Sequence, residues 1–180
     1  MDQEDKQRFL DNVQWFNDFF DDLHHLLTAI SEALIRESMA TKRSLWYYQK
    51  SRHIPKIPKY YLLAMSAQDS AIQVFAVLDP DILKRQPAFI NEPSMILIKH
   101  SRSDKVGYIN DFGLRIIRNS AVAQEVLSEG IISGEISGGS GVGTKFLAFQ
   151  VPFDEFSENK DPARVIENRI VKVFKEYNYE

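Results

Sequence analysis

The strongest constraint on this chain is an apolar stripe that runs along its N-terminal segment with spacings of four and three residues in alternation. Its members are Phe9, Val13, Phe16, Phe20, Leu23, Leu27, Ile30 and Leu34. Residues at these spacings share one face of an α-helix, because the helix turns once in about 3.6 residues. The sequence therefore predicts a long amphipathic helix over residues 4–39.

The stripe is broader than the narrow seam of a two-stranded coiled coil. Phe19, Leu26 and Ala33 widen it on one side. Leu10 widens it on the other. A face of this width is typical of a helix that packs on the core of its own domain, so we expect it to cover the protein's own sheet. The alternative is a helix shared in a dimer interface, and the two assignments are compatible at different ends of the helix.

Apolar and aromatic runs between turn residues predict a sheet in the middle of the chain. The predicted strands lie at 44–50, 60–67, 71–78, 94–101, 130–137 and 144–153, with one or two short strands between 105 and 119. A polar turn at 68–70 makes 60–67 and 71–78 an antiparallel hairpin. Ser120 and Gly130 are typical of the N-cap and the left-handed final residue of a short helix between them.

A second helix closes the predicted domain at residues 161–177. Asp161 is a suitable N-cap, and Pro162 suits the first helical position because it has no N–H to leave unsatisfied. The fold class that follows is a single α+β domain over 1–180, with the long helix at 4–39, a sheet region with one short helix at 44–153, and the C-terminal helix. We expect a mainly antiparallel sheet of five or six strands packed against both helices.

The strand at 71–78 is apolar on both of its faces, so both faces of the sheet should be covered. The two predicted helices offer little cover for a second face. A homodimer or another protein partner over that face is the resulting prediction.

The composition restricts the compartment and the chemistry. The chain has 180 residues, 44% of them hydrophobic, and no cysteine. Cysteine nucleophiles, thiolate metal sites and disulfides are therefore excluded, and a reducing compartment is expected. The N-terminus is acidic rather than basic and apolar, and no apolar run approaches the roughly 18 residues of a membrane span, so we expect a cytoplasmic protein without a membrane segment.

The glycine-rich stretch is the most unusual segment, because six of the eight glycines lie within residues 130–143. It resembles a phosphate-binding loop only in glycine spacing: the lysine follows a threonine instead of the second glycine, and the next run is typical of a strand. We predict a hairpin loop whose amides could still hold a small anion. The candidate ligand-binding residues are Gly139, Ser140, Gly141, Gly143, Thr144 and Lys145.

A basic stretch with aromatic residues covers residues 42–61. Residues 38–68 carry six Lys or Arg and no acid, among tyrosines and a tryptophan. Aromatic stacking with phosphate contacts is how single-stranded nucleic acid is held, which makes a nucleic-acid-binding accessory protein one alternative. The candidate anion or nucleic-acid contacts are Lys50, Arg52, His53 and Lys56. The competing interpretation is that these charges complement the acidic first helix.

The long helix also carries acids and histidines at spacings of three residues, such as Asp22 and His25. The ordinary explanation is a solvated polar face, and we assign no metal site and no cofactor. No catalytic motif survives inspection, although an enzyme with a composite site scattered in the sequence stays an alternative. The favoured hypothesis is a non-enzymatic intracellular binding or sensory module for a small anionic ligand or a protein partner.

Overall fold

A computed structural model describes residues 3–48, 60–67, 70–79, 81, 83, 86–101, 113, 122–136, 142–156 and 161–177. Helix α1 spans Gln3–Arg36. The strands are β1 (Lys42–Tyr48), β2 (Tyr60–Ala67), β3 (Ser70–Val77), β4 (Ser94–His100), β5 (Val122–Ser128), β6 (Ile131–Ile136) and β7 (Lys145–Pro152). A 3-10 turn at Phe153–Phe156 leads towards the C-terminal helix α2, which consists of Pro162–Val165, a π-helical segment Ile166–Val171, and Lys172–Glu176.

The seven described strands form one antiparallel sheet in the order β1-β2-β3-β4-β7-β6-β5. The predicted class, a single α+β domain with an antiparallel sheet between an N-terminal and a C-terminal helix, is confirmed. The predicted hairpin is confirmed as well, since β2 pairs with β3 from Tyr60 opposite Val77 to Ala67 opposite Ser70. The predicted strands between 105 and 119 fall outside the described residues.

The short helix predicted between Ser120 and Gly130 is wrong, because this segment forms strand β5. Gly130 does adopt the left-handed conformation, with φ of 68°, but it does so in the turn of the β5–β6 hairpin. Ala, Gln, Glu and Leu in this segment are good helix formers, but intrinsic propensities differ by less than about 1 kcal/mol per residue, and pairing with β6 outweighs them. The extra strand brings the sheet to seven.

The end of α1 has the hydrogen bonds of a Schellman motif. Ser38, with φ of 57°, occupies the left-handed position that glycine usually takes. Its N–H donates to the carbonyl of Ile35 at 3.0 Å, and the N–H of Met39 donates to the carbonyl of Leu34 at 2.9 Å. These bonds satisfy the last helical carbonyls and turn the chain towards β1.

The first face of the sheet carries the larger core. The inner half of α1 and helix α2 pack on it through residues such as Leu27, Ile30 and Ile170, which are buried against Leu97 and Phe149 of the sheet. The rings of Phe149 and Phe174 meet edge to face at 5.0 Å. Asp161 caps α2 as predicted, because its carboxylate accepts from the N–H of Ala163 at 3.0 Å.

The second face of the sheet is also buried, as the apolar pattern of β3 predicts. Phe75, Ile98 and Phe146 have no significant exposure, and Leu83 and Phe89 belong to the same cluster. Gly113 lies so close to this face that a β-carbon there would stand 2.5 Å from the side-chain oxygen of Gln73. The described part of this face is thus covered within the chain, and the sequence-based reason for placing a partner there does not apply.

Gln150 fixes the loop that crosses this side of the sheet before β4. Its side-chain oxygen accepts from the N–H of Ile90 and its amide donates to the carbonyl of the same residue, both at 2.8 Å. The amide also donates to the hydroxyl of Ser94 at 2.8 Å. The Gln150 side chain thereby forms the hydrogen bonds that a neighbouring strand would otherwise form with the backbone of Ile90.

None of the helices that the structure describes has both the length and the apolar content needed to cross a membrane.

Candidate functional site

The predicted anion-binding loop is described only at its C-terminal end, since Gly139, Ser140 and Gly141 lie outside the described residues. Gly143 has φ of 80°, a conformation that favours glycine, and its N–H donates to the carbonyl of Ile136 at 2.9 Å. A β-carbon at Gly143 would have open space around it, so the backbone conformation, not a close contact, explains the glycine there.

Thr144 and Lys145, which belong to the same predicted site, have different surroundings. Thr144 is buried, and its hydroxyl has no hydrogen-bond partner within the described part of the chain. Lys145 is exposed and lies opposite Glu135 in the β6–β7 ladder, where opposite charges stabilise a cross-strand pair. The structure therefore brings a buried hydroxyl to the base of this loop, and it places an acid beside the lysine.

Of the basic stretch, the structure describes the two ends, residues 42–48 and 60–61. Lys50, Arg52, His53 and Lys56 lie outside the described residues, and their role stays a prediction. Tyr60 is buried in the second core, 5.5 Å from the ring of Phe75. Tyr61 packs at 5.4 Å against Phe20 of α1. These two tyrosines contact the protein's own interior, so they are not free to stack on nucleic-acid bases.

The acids and histidines that the sequence analysis named on α1, such as Asp22 and His25, are exposed. Among the described residues, no group of three or more His, Asp or Glu side chains is placed to hold a metal ion. Asp18 accepts from the amide of Gln14 at 2.7 Å, as expected for a solvated helix surface. Asp22 and His25 lie together on the wall of the groove described below.

The surface that stands out is the outer half of α1, residues 3–22, which we call the overhang. Full burial on the sheet begins at Leu23, and Phe19 and Phe20 are half-buried against the core. The part of the overhang that extends beyond the core, residues 3–18, is therefore about 24 Å long at 1.5 Å per residue. Leu10, Val13 and Trp15 are 58%, 40% and 61% exposed. Leu10 and Val13 are neighbours on one side of the helix, and Trp15 lies on the other side. Large apolar side chains that stay in solvent often mark an interaction surface.

Trp15 connects the overhang to an apolar groove between α1 and the segment that precedes α2. Its ring stacks on that of Phe19 at 5.7 Å with an angle of 15° between the planes. The groove has a volume of about 490 Å³. It is lined by Phe19, Asp22, Leu23, His25, Leu26, Ala29, Phe153, Phe156 and Pro162. Trp15 and the groove thus form one apolar region, with the side chains of Asp22 and His25 on its wall.

Ionic contacts fix the inner half of α1 to helix α2. Lys175 donates to the carboxylate of Glu37 at 2.6 Å, and Arg36 donates to Glu167. The hydrogen bond and the charge of Lys175 lower the pKa of the Glu37 carboxyl below its usual range. In the overhang, Arg8 pairs with Asp5 of its own helix at 3.2 Å.

Comparison with protein-family models, curated proteins and solved structures finds no significant match to this chain. The site therefore rests on geometry alone. Of the two roles that the apolar stripe left open for α1, the structure shows packing on the protein's own sheet, from Leu23 onwards. Trp15 lies outside that stripe, and the signal that could have found it is its spacing of four residues from Phe19, which brings two aromatic side chains together on a helix.

Proposed function

We propose that this protein is a non-enzymatic protein-binding module and that the overhang of α1 is its binding element. The observation that carries the proposal is the exposure of Leu10, Val13 and Trp15 on a helix whose inner half is buried in the core. An amphipathic helix that lays its apolar face against exposed apolar side chains is a common mode of recognition. We place the module in the cytoplasm, on the support of its cysteine-free composition.

The charge of the overhang defines the chemistry of the partner. Asp18, Asp21 and Asp22 are exposed beside the apolar side chains, at the end nearest the core. A partner helix with Lys or Arg next to its apolar face would gain favourable electrostatic contacts there. We therefore expect a preference for basic amphipathic helices over acidic ones.

Two synthetic helical peptides test the proposal. They share one apolar stripe and differ only in flanking Lys or Glu residues, and their binding to dilute protein is followed by fluorescence anisotropy. The Lys peptide should bind at least about tenfold more tightly at low salt, and the difference should shrink at high salt because screening weakens exposed charges.

The variant Val13→Asp with Trp15→Ser should lose binding of both peptides and keep its fold, since both side chains lie in solvent. Val126→Asp is the matched control, because Val126 is 59% exposed on β5, far from the overhang in the sheet order. A wild-type protein that binds neither peptide and does not self-associate would contradict the proposed function.

A second candidate function is binding of a small anion at the glycine-rich loop. The buried, unpartnered hydroxyl of Thr144 favours it, because such a group in the interior costs free energy until a partner or water satisfies it. Inorganic phosphate, pyrophosphate and citrate would be tested by thermal shift. A shift that Thr144→Val removes supports this candidate, and no shift with any of the three counts against it.

A further inference from the structure

The groove beside Trp15 has the size and lining of a site for a small molecule. Its volume is about 490 Å³, and its described lining is apolar or aromatic apart from Asp22 and His25. Ligand sites usually have volumes of about 300–1,000 Å³, with an apolar lining and a few polar groups that orient the ligand. We propose that this groove binds an amphiphilic cation, that is, a small molecule with an alkyl or aromatic body and one ammonium group. This ligand site goes beyond the proposed protein-binding function and does not depend on it.

The wall of the groove on α1 has room for a ligand at Ala29. The residues of this wall that are spaced three or four positions apart share one side of the helix. They are Phe19, Asp22, Leu26 and Ala29. Ala29 is exposed, and its methyl group is the smallest apolar side chain of the lining. A larger side chain at this position would fill space that the wild-type protein leaves open.

The opposite wall consists of the 3-10 turn Phe153–Phe156 and of Pro162, the first residue of α2. The N–H of Phe153 donates to a backbone carbonyl of the loop before β4 at 3.3 Å. Arg169 of α2 donates to the carboxylate of Glu155 at 2.9 Å. Because the fold fixes both walls, the groove exists before a ligand enters, and binding does not have to order it.

The charge of the groove favours a cation. Asp22 is the only acid of the described lining, which contains no Lys or Arg. Within the described part of the chain, no base forms an ion pair with Asp22. The described residues within two positions of the lining that carry a formal charge are Asp18, Asp21, Asp154, Glu155, Asp161 and Arg164. Arg169 neutralises Glu155, so the others leave an excess of negative charge around the groove.

Aromatic side chains add to the preference for an ammonium group. Phe19, Phe153 and Phe156 line the groove. A cation is attracted to the face of an aromatic ring by the negative potential there. The ring of Trp15 extends the aromatic surface, since it stacks on that of Phe19 at 5.7 Å. The body of the ligand would cover Leu26, which the chain itself leaves half-buried.

Two probes with the same alkyl chain test the class of ligand. Decyltrimethylammonium and decanoate, each below the concentration at which it forms micelles, are titrated into the protein in a calorimeter at low salt. The titrations are made at about pH 8, because a protonated imidazole at His25 would repel a cation. The ammonium probe should bind at least about tenfold more tightly, since Asp22 and the aromatic rings attract it and Asp22 repels the carboxylate. A protein that binds neither probe, or binds decanoate as tightly, overturns the proposal.

Two substitutions at exposed positions of α1 test the place of binding. Ala29→Phe should weaken binding of the ammonium probe at least about tenfold, because the new ring occupies the groove. Ile35→Phe is the matched control, since Ile35 is 41% exposed on the same helix and does not line the groove, and it should bind as the wild type does. Asp22→Lys should reverse the preference, so that decanoate binds more tightly than the ammonium probe.

The outcomes separate this site from the proposed function. Unchanged binding in Ala29→Phe, or an unchanged preference in Asp22→Lys, overturns the ligand site. A protein that binds the Lys peptide but neither probe also overturns it and leaves the protein-binding module in place. Circular dichroism and thermal melts of each variant show that its fold is retained.

Discussion

The two halves of α1 have the same sequence pattern and opposite surroundings. From Leu23 to Leu34 the apolar positions are buried against the first face of the sheet. In residues 3–22 the same spacings continue, yet Leu10 and Val13 lie in solvent. The comparison shows that an amphipathic pattern specifies that a helix face will be covered, but not whether the cover comes from the same chain.

The two halves of α1 can be compared by their effect on the free energy of unfolding, and the largest change is expected at Leu27. This side chain is 1% exposed in the core half of α1. Leu27→Ala should lower the free energy of unfolding by about 2–5 kcal/mol, because it removes buried surface and leaves a cavity. Leu10→Ala is the matched substitution in the overhang and should change that free energy by less than about 0.5 kcal/mol in dilute, monomeric protein. Urea denaturation measures both, and equal losses would break the distinction between the halves.

A smaller effect, of opposite sign, is expected at Ser31 in the same core half. Its hydroxyl is buried and has no hydrogen-bond partner within the residues described. Ser31→Ala removes a polar group that gains nothing from burial and improves helix propensity, so stability should rise by up to about 1 kcal/mol. A clear loss of stability in denaturant titrations would mean that the hydroxyl is satisfied in solution.

The smallest effect concerns the contact of Glu37 with Lys175, which holds the core half of α1 to α2. Because the pKa of Glu37 is lowered in the folded protein, its contribution is present at neutral pH and is lost as the pH falls through the lowered value. Glu37→Gln should therefore lower the melting temperature slightly at pH 7, and the difference should vanish in acid.

Glu176→Gln is the control for this prediction, since Glu176 makes only a 3.6 Å contact with Lys172 on its own helix. Melting curves from pH 7 down to strongly acidic conditions measure both variants. A difference between wild type and Glu37→Gln that persists unchanged in acid would show that ionisation of Glu37 is not its cause.

Local patterns in the sequence were sufficient for most of the fold. The stripe of α1, the cap at Asp161 and the hairpin of β2 and β3 each depend on residues close together in the chain, and the structure has them near the predicted bounds. The prediction for the segment before Gly130 was wrong because its residues favour helix locally, whereas its structure is decided by hydrogen bonds to β6. The left-handed glycine was recognised correctly, but a helix end and a hairpin turn both accept it.

The candidate site could be predicted only in part, for a different reason. That α1 carries a binding face follows from its periodicity, but which residues stay exposed depends on where the sheet ends beneath the helix. The second sheet face was expected to need a partner, whereas loops with Leu83, Phe89 and Gly113 cover its described part. Loop packing of this kind has no periodic signature, because each contact depends on one side chain, as with Gln150 and Ile90.

The order of the strands has a consequence for how the chain reaches this fold. Strands β1 to β4 pair with successive neighbours, and so do β5, β6 and β7, so that two smaller sheets arise from contacts close in sequence. Only the pairing of β4 with β7, where His100 lies opposite Phe146, joins them, and it closes a loop of roughly 45 residues. Chain entropy therefore opposes this central ladder more than any other in the described sheet, which makes it the slow step in assembling a core that otherwise forms from local pieces.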